Sequence, residues 1–274
     1  MTVDILTTGE GRKRSLWGDF RDSFRNTEFW ALSGWLDVVV RYRQSRLGLF
    51  WLIAPSFVFV WGLGGFFAAV TNTPTSEFAA YVGVGYLLYR LFSTVIVEST
   101  STFAASSAFI MDGHTRLTDF ILRVVAREML YFVVALPAVF IAMAVYPNLS
   151  VTGVLLALPS LLLIMFNVLW IGVVFGLVGA RFPDLSQFIG NVFLFAFLLT
   201  PIVWHAESIP PNSLRHAFML ANPLYHMVEL VRAPMLGDSV SWVTLAYLGV
   251  MTVLGWSVVT VAYRRYANYV PVWI

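Results

Sequence analysis

From residue 49 to residue 263, apolar residues run in long blocks separated by short polar breaks. A bilayer core of about 30 Å takes about 20 apolar residues in a helix. Six blocks meet that length and predict six transmembrane helices at about 49–70, 79–103, 120–145, 152–179, 187–204 and 241–263. Upstream, residues 28–46 have helical periodicity. At 100° per residue, Ser33, Asp37, Arg41 and Gln44 share one face, and Leu32, Trp35, Leu36 and Val39 share the other. That pattern predicts an amphipathic helix lying in the membrane interface over residues 28–48. Asp37 and Arg41, four apart, are predicted to pair on its wet face. Residues 1–27 are polar and mixed in charge and read as a mobile cytoplasmic tail. The 205–240 stretch places Pro210, Pro211, Pro223 and Pro234 between apolar patches. It is too broken to span and too apolar for an ordinary loop. It predicts an outward re-entrant helical hairpin between spans five and six, where protein or water covers the irregular backbone.

Composition supports the membrane reading. The 274 residues are 59% hydrophobic and 12% charged, with a mean hydropathy of +0.78, whereas soluble domains carry about 25% charged residues. No cysteine is present, which excludes disulfides and thiol catalysis. The first 40 residues lack an apolar stretch ending in a small-residue cleavage site, so no cleavable signal peptide is expected. The 71–78 and 146–151 connections have no Lys or Arg. The N-terminal region, the 104–119 loop with Arg116, the Arg181 turn and the Arg264-Arg265 tail carry positive charge. The positive-inside bias therefore puts both termini in the cytoplasm. These arginines also account for the pI of 9.0, with no patch fitted to nucleic acid.

Few residues offer chemistry. Arg41, Arg43 and Arg46, followed by Gly48, join the interface helix to the first span. Guanidinium forks match phosphate oxygens, so these arginines fit recognition of a lipid-pyrophosphate headgroup; plain headgroup anchoring is the other reading. Gly48 permits a backbone bend at the join, or alternatively close helix packing. Arg90 and Glu98 fall inside the second span. Intramembrane charge is costly and faces protein or water, so the two either line a hydrated path or form a structural ion pair. Phe66, Phe67, Phe193, Phe195, Phe197 and Trp204 are candidates for an aromatic path on which sugar C–H faces stack, against lipid-facing packing and interfacial belts. Gly172-x-x-x-Gly176 and Gly179 form a small-residue stripe suited to close intramolecular packing. Four scattered His residues make no metal site. Asn148-Leu149-Ser150 fits the glycosylation pattern by chance. Gly9–Ser15 lacks the Gly-Lys-[Ser/Thr] ending of a phosphate loop and its strand–helix context. No nucleophile–base pair is evident. The chain is thus expected to be no enzyme and to hold no cofactor.

Four motifs in order carry a family resemblance. Arg41-Tyr42-Arg43-Gln44-Ser45-Arg46-Leu47-Gly48, with Trp51 and Pro55, opens the series. Ala180-Arg181-Phe182-Pro183-Asp184, Leu199-Thr200-Pro201-Ile202-Val203-Trp204, and Asn222-Pro223-Leu224-Tyr225-His226 with Glu229, Arg232-Ala233-Pro234 and Leu236-Gly237 follow. Spread over residues 41–237 of a six-span frame, they resemble the Wzm-type, ABC-2 permeases that export O-antigen, capsule, teichoic acid and related glycans. Pro183 stands where that family often has Arg, and the 107–116 segment lacks its Asn and Lys-x-x-x-Pro pattern.

The resemblance implies an all-α membrane protein that works as a homodimer in the bacterial inner membrane. It further implies two copies of a cytosolic ABC ATPase, which would hold the ATP and Mg. The substrate would be an undecaprenyl-pyrophosphate-linked polysaccharide. Its headgroup would be met by Arg41, Arg43, Ser45, Arg46 and Gly48, and its path lined by Phe66, Phe67, Arg90, Glu98, Phe193, Phe197 and Trp204. The N-terminal region and the loop with Asp112, His114 and Arg116 would couple to the ATPase. Pro223, Tyr225, Glu229 and Arg232 would form the outer gate. Two rival readings stay open: an ABC-2 exporter of a small hydrophobic drug or lipid, and a membrane-embedded glycosyl- or acyltransferase. A narrow, dry seam would favour the first, and turnover without any ATPase the second.

Overall fold

The structure, a computed structural model, describes residues 15–43, 46, 48, 50–113, 115–145 and 151–274. Helices α1 (Leu16–Arg25) and α2 (Glu28–Arg43) precede a broken first span. That span comprises α3 (Phe50–Phe57), a π-helical segment (Val58–Leu63) and α4 (Gly64–Thr71). Then come α5 (Thr75–Ala105), the short α6 (Ser107–Met111), α7 (Leu117–Val145) and α8 (Val151–Arg181). The chain ends with α9 (Leu185–Leu199), α10 (Leu214–Ala221), α11 (Pro223–Leu236), α12 (Trp242–Tyr266) and α13 (Val270–Trp273). No strand occurs among the described residues.

Five helical stretches are long and apolar enough to cross a membrane: Phe50–Thr71, Thr75–Ala105, Leu117–Val145, Thr152–Arg181 and Trp242–Trp273. The stretch expected at 187–204 is helical only over Leu185–Leu199. At 1.5 Å per residue, its 15 residues reach about 22 Å, short of a bilayer core. Pro201 cannot continue the helix. Instead Thr200, Pro201 and Ile202 turn into the protein and are buried there.

Helix α5 is the hub and packs against α7, α8, α9, α11 and the first span. Leu88, Phe92, Val139, Met143, Ile164, Met227 and Leu230 belong to the main core. The glycine stripe allows this packing. A Cβ on Gly176 would come within 2.9 Å of the Phe103 ring, and Gly172 and Gly179 face Ser99 and the Thr100 backbone. All three glycines therefore seat α8 on α5. Asn167 bonds Thr252 at 2.8 Å and ties α8 to α12.

Two expectations for the N-terminal region need correction. Residues 16–25 form a packed helix rather than a mobile tail. Leu16 and Phe20 are buried against Trp256 and Val259 of α12 and Leu117 and Phe120 of α7. Ser23 bonds Thr118 at 2.8 Å, and the Tyr263 hydroxyl donates to Asp19 at 2.6 Å. The polar face of α2 is not its wet face. Gly34 and Val38 are buried there and Asp37 is half-buried, while Leu32, Trp35 and Leu36 point outward. Gly34 lies against the Arg123 carbonyl, Asp37 against Arg123 and Arg127, and Arg41 against Tyr131. Between these contacts α2 advances about 10 Å and α7 about 12 Å, in the same direction. So α2 runs alongside the first half of α7 and turns its apolar side away from the bundle. Residues 1–14, with the rejected phosphate-loop pattern, lie outside the described residues, as do Gln44, Ser45, His114 and Asn148-Leu149-Ser150.

A candidate aromatic path and the charge cluster at its mouth

Pro55 sits inside α3 without an N–H to donate, and the hydrogen-bond register loosens to π-helical just after it. Such segments often mark functional sites. Here the π segment widens the first span where it faces α5 and α9. Two adjoining hollows open along it and share Phe59 and Tyr86. One, of about 620 Å³, is lined by Trp51, Pro55, Val58, Gly62 and Leu63. The other, of about 290 Å³, is lined by Tyr89, Arg90, Ser93, Gly190, Phe193 and Phe197. Phe59 stacks on Tyr86 at 3.7 Å and meets Phe197 edge-on at 5.8 Å. Tyr89 packs edge-on against Phe197 and Phe193 at 5.3 and 6.0 Å, and its hydroxyl donates to the Phe193 carbonyl. The result is a continuous groove of aromatic faces with one cation, Arg90, in its wall.

Of the residues expected to line a path, the structure brings Arg90, Phe193 and Phe197 into this groove. Phe195 is exposed and lies outside its lining. Phe66 is exposed on α4, and Phe67 stacks on Phe78 at 6.1 Å, away from the groove. Trp204 lies in the turn after α9, where its indole N–H donates to the Leu198 carbonyl. Glu98 is also elsewhere: it pairs with Arg127. Phe59, Tyr86 and Tyr89 also line the groove and are not singled out by the sequence, and Trp51, noted there only as part of the first motif, lines it too.

A charge cluster lies beside the groove. Arg123 forks onto Asp37 at 2.6 and 2.8 Å. Arg127 reaches Asp37 at 3.5 Å and Glu128 at 3.2 Å besides Glu98. The expected Asp37–Arg41 pair is therefore replaced, because α7 offers Asp37 two guanidinium groups. Arg41 instead donates to the Tyr131 hydroxyl at 3.4 Å. Arg90 donates to Ser56 at 3.3 Å and lies 6.0 Å from the Tyr131 ring centre. Residues 117–128 carry every charge of α7, and 129–145 carry none. The cluster thus sits where α7 becomes fully apolar. Arg43 and Arg46 are exposed. Gly48 has φ of +48° with open space around its Cβ position, a left-handed bend that favours glycine.

At the far end, Arg232 is 1% exposed. It donates to the Pro201 carbonyl at 2.5 Å and to Glu229 at 2.7 Å, and lies 3.9 Å over the Tyr81 ring. The Tyr81 hydroxyl donates to the Trp204 carbonyl at 3.2 Å, and His205 stacks on Tyr81 at 4.2 Å. Burial, helped by the Arg232 cation, holds the His205 ring below the usual imidazole pKa. Asn222 caps α11 through the Leu224 N–H at 3.0 Å, with Pro223 at its first position. Tyr225 is half-buried, and its ring lies 5.0 Å from that of His226. Most of α11 is buried, so Arg232 locks the post-α9 turn to α5.

Between α5 and α7, α6 presents Phe109 and Met111 to the outside, with Asp112 exposed beside them. Arg116 caps the start of α7 through Asp119: the Arg116 N–H donates to the carboxylate at 3.3 Å, and the side chains pair at 3.7 Å. Among the described residues, no three His, Asp or Glu side chains are placed to share a metal.

Comparison with known proteins agrees with this frame. No family profile matches the chain. It is 24% identical over 241 residues to the O-antigen export system permease protein RfbA of Klebsiella pneumoniae, covering 85% of this chain and 91% of that one. It is 23% identical over 222 residues to the polysialic acid transport protein KpsM of Escherichia coli, covering 80% and 85%. It is 22% identical over 232 residues to the capsule polysaccharide export inner-membrane protein CtrC of Neisseria meningitidis, covering 81% and 86%. These relatives are transport permeases, not enzymes. The chain is a distant homologue of the ABC-2 permeases of polysaccharide export systems.

Proposed function

We propose that this chain is the membrane subunit of an ABC transporter. It would export an undecaprenyl-pyrophosphate-linked, O-antigen-like polysaccharide from the cytoplasm across the bacterial inner membrane. The observation that carries the reading is the aromatic groove along the widened first span. Sugars stack their C–H faces on such rings without directional bonds, so a polymer slides past them. The groove is open on one side, and a second copy facing it would close a path wide enough for a glycan. That open side supports the reading of a homodimer. The short α9 and the α10–α11 hairpin serve as the sixth span and the outer gate, with Glu229 and Arg232 as its latch beside Pro223 and Tyr225.

Energy comes from two copies of a separate ATPase that holds the ATP and Mg. Phe109 and Met111 on α6, flanked by Asp112 and Arg116, form an exposed apolar tip fitted to a protein partner; His114 belongs to the same loop. Arg41, Arg43, Ser45, Arg46 and the Gly48 bend form the portal for the lipid headgroup. A cytoplasmic placement of both ends of the chain is supported by α1 packing against α12 and α13 against α6 at one end of the bundle.

Depletion of the protein in its host tests the reading. Undecaprenyl-linked polymer is expected to build up inside spheroplasts while surface glycan falls. Unchanged surface glycan would remove the assignment.

A further inference from the structure

The turn after α9 is held to α5 through one ring. Arg232 lies 3.9 Å over the Tyr81 ring centre. The His205 imidazole stacks on the same ring at 4.2 Å, with 21° between the planes. Two flat groups at stacking distance cannot share one face, so Tyr81 is sandwiched between a guanidinium and an imidazole. Phe78, one helical turn before Tyr81 and itself buried, meets His205 edge-on at 5.2 Å. The Tyr81 hydroxyl donates to the Trp204 carbonyl at 3.2 Å. His205 thus closes the turn that carries Ile202 into the protein, where Ile202 is 0% exposed and lies next to Gly85.

The charged and titratable groups around His205 pull in two directions. From α11 come Arg232, Glu229 and Tyr225; from α5, Glu77 and Tyr81; from the turn itself, Glu207. A cation is attracted to an aromatic face, but Arg232 already holds the far face of Tyr81. Glu229 pairs with Arg232 at 2.7 Å, yet the arginine's charge still disfavours a second cation at His205. Burial and this repulsion hold the imidazole below its usual pKa, so at neutral pH the stacked ring is uncharged. Glu207 and Glu77 act in the opposite sense and favour the cation. Glu207 is exposed and Glu77 half-buried, so both offer a protonated ring a wetter partner. We propose that the Arg232–Tyr81–His205 sandwich is a proton-sensitive fastening: a proton taken up by His205 drives its ring off Tyr81 toward Glu207 and Glu77 and frees the 200–205 turn from α5. Because the stacked ring binds a proton less readily than a released one, the fastening is complete above the usual imidazole range and is lost as pH falls through it. This inference rests on the export reading, in which the turn belongs to the outer gate; an acidic outer face then loosens that gate.

The test uses the full chain in nanodiscs, which has no native cysteine. Ile202→Cys places a thiol at the buried position, and Pro210→Cys, at an exposed one, is the reference. Labelling by a charged methanethiosulfonate reagent is followed from about pH 8 to about pH 5. The ratio of the two labelling rates corrects for the pH dependence of thiol chemistry. It is expected to rise several-fold as pH falls through the imidazole range. In His205→Phe, which keeps an aromatic stack and takes no proton, it is expected to stay low throughout. A flat ratio with His205 intact would overturn the switch. The same rise in His205→Phe would overturn it too, by assigning the transition to Glu77, Glu207 or Glu229. Two results separate the inference from the export reading. If depletion lowers surface glycan while the ratio stays flat, the switch fails and the exporter stands. If the ratio rises as expected but depletion leaves surface glycan unchanged, the exporter fails and the switch stands.

Discussion

Arg90 and Arg232 are both guanidinium groups in the bundle, and their surroundings assign them opposite tasks. Arg232 is sealed in by a carboxylate, a carbonyl and an aromatic face; it is a fastener. Removing one partner of such a buried pair costs about 3–5 kcal/mol. Arg232→Met should therefore lower the thermal midpoint of the purified protein markedly, in a melting assay where Arg43→Met changes nothing. An unchanged midpoint for Arg232→Met would mean that the turn after α9 is held by something else. The sequence marks Arg90, Glu98 and Arg232 as unusual by their apolar surroundings, but it cannot pair them. Glu98 meets Arg127, and Arg90 meets Ser56 and Tyr131, across helix contacts that no local spacing encodes. The groove aromatics fail for a related reason. Phe59 and Tyr86 sit among apolar residues just as lipid-facing rings do, and only the widening after Pro55 sets them apart.

At the scale of elements, hydropathy places the long helices to within a few residues. It overextends the fifth apolar stretch, because Leu199-Thr200-Pro201-Ile202 stays apolar after the helix has ended and turned inward. The π segment has no hydropathy signature. Helix α1 does leave one: Leu16 and Phe20, four apart, form the buried stripe. Helix α2 is amphipathic as read, yet which face is wet depends on α7. Its Arg123 and Arg127 make the polar side of α2 the protein-facing one. The absence of native cysteine makes this testable. A Cβ at Gly34 would lie 3.4 Å from the Cβ of Ala126, close to disulfide geometry. The Gly34→Cys, Ala126→Cys double variant should cross-link within one chain on mild oxidation. A reduced pair after oxidation in the membrane would mean that α2 lies free on the lipid surface.

For the whole molecule, composition and block lengths are enough to give the class, and four ordered motifs point to the same export permeases to which the chain is distantly homologous. What stays hidden is which side of the bundle carries the path. The answer lies in how α9 joins the first span and α5: Phe193 and Phe197 meet Tyr89 and Phe59 from more than a hundred positions away. The apolar hollow between α8 and α12, of about 810 Å³ and lined by Trp170, Trp242, Val250 and Leu254, is the natural control, since it has no cation in its lining and shares no lining residue with the groove. The most direct measurement places a photo-cross-linking residue at Phe59, Tyr86 or Phe197, and separately at Val250 or Leu254. It then traps the complex during export with its ATPase present. Glycan attached from the groove positions and absent from the α12 positions is the result expected. Glycan attached from the α12 positions, with none at the groove, would contradict the account.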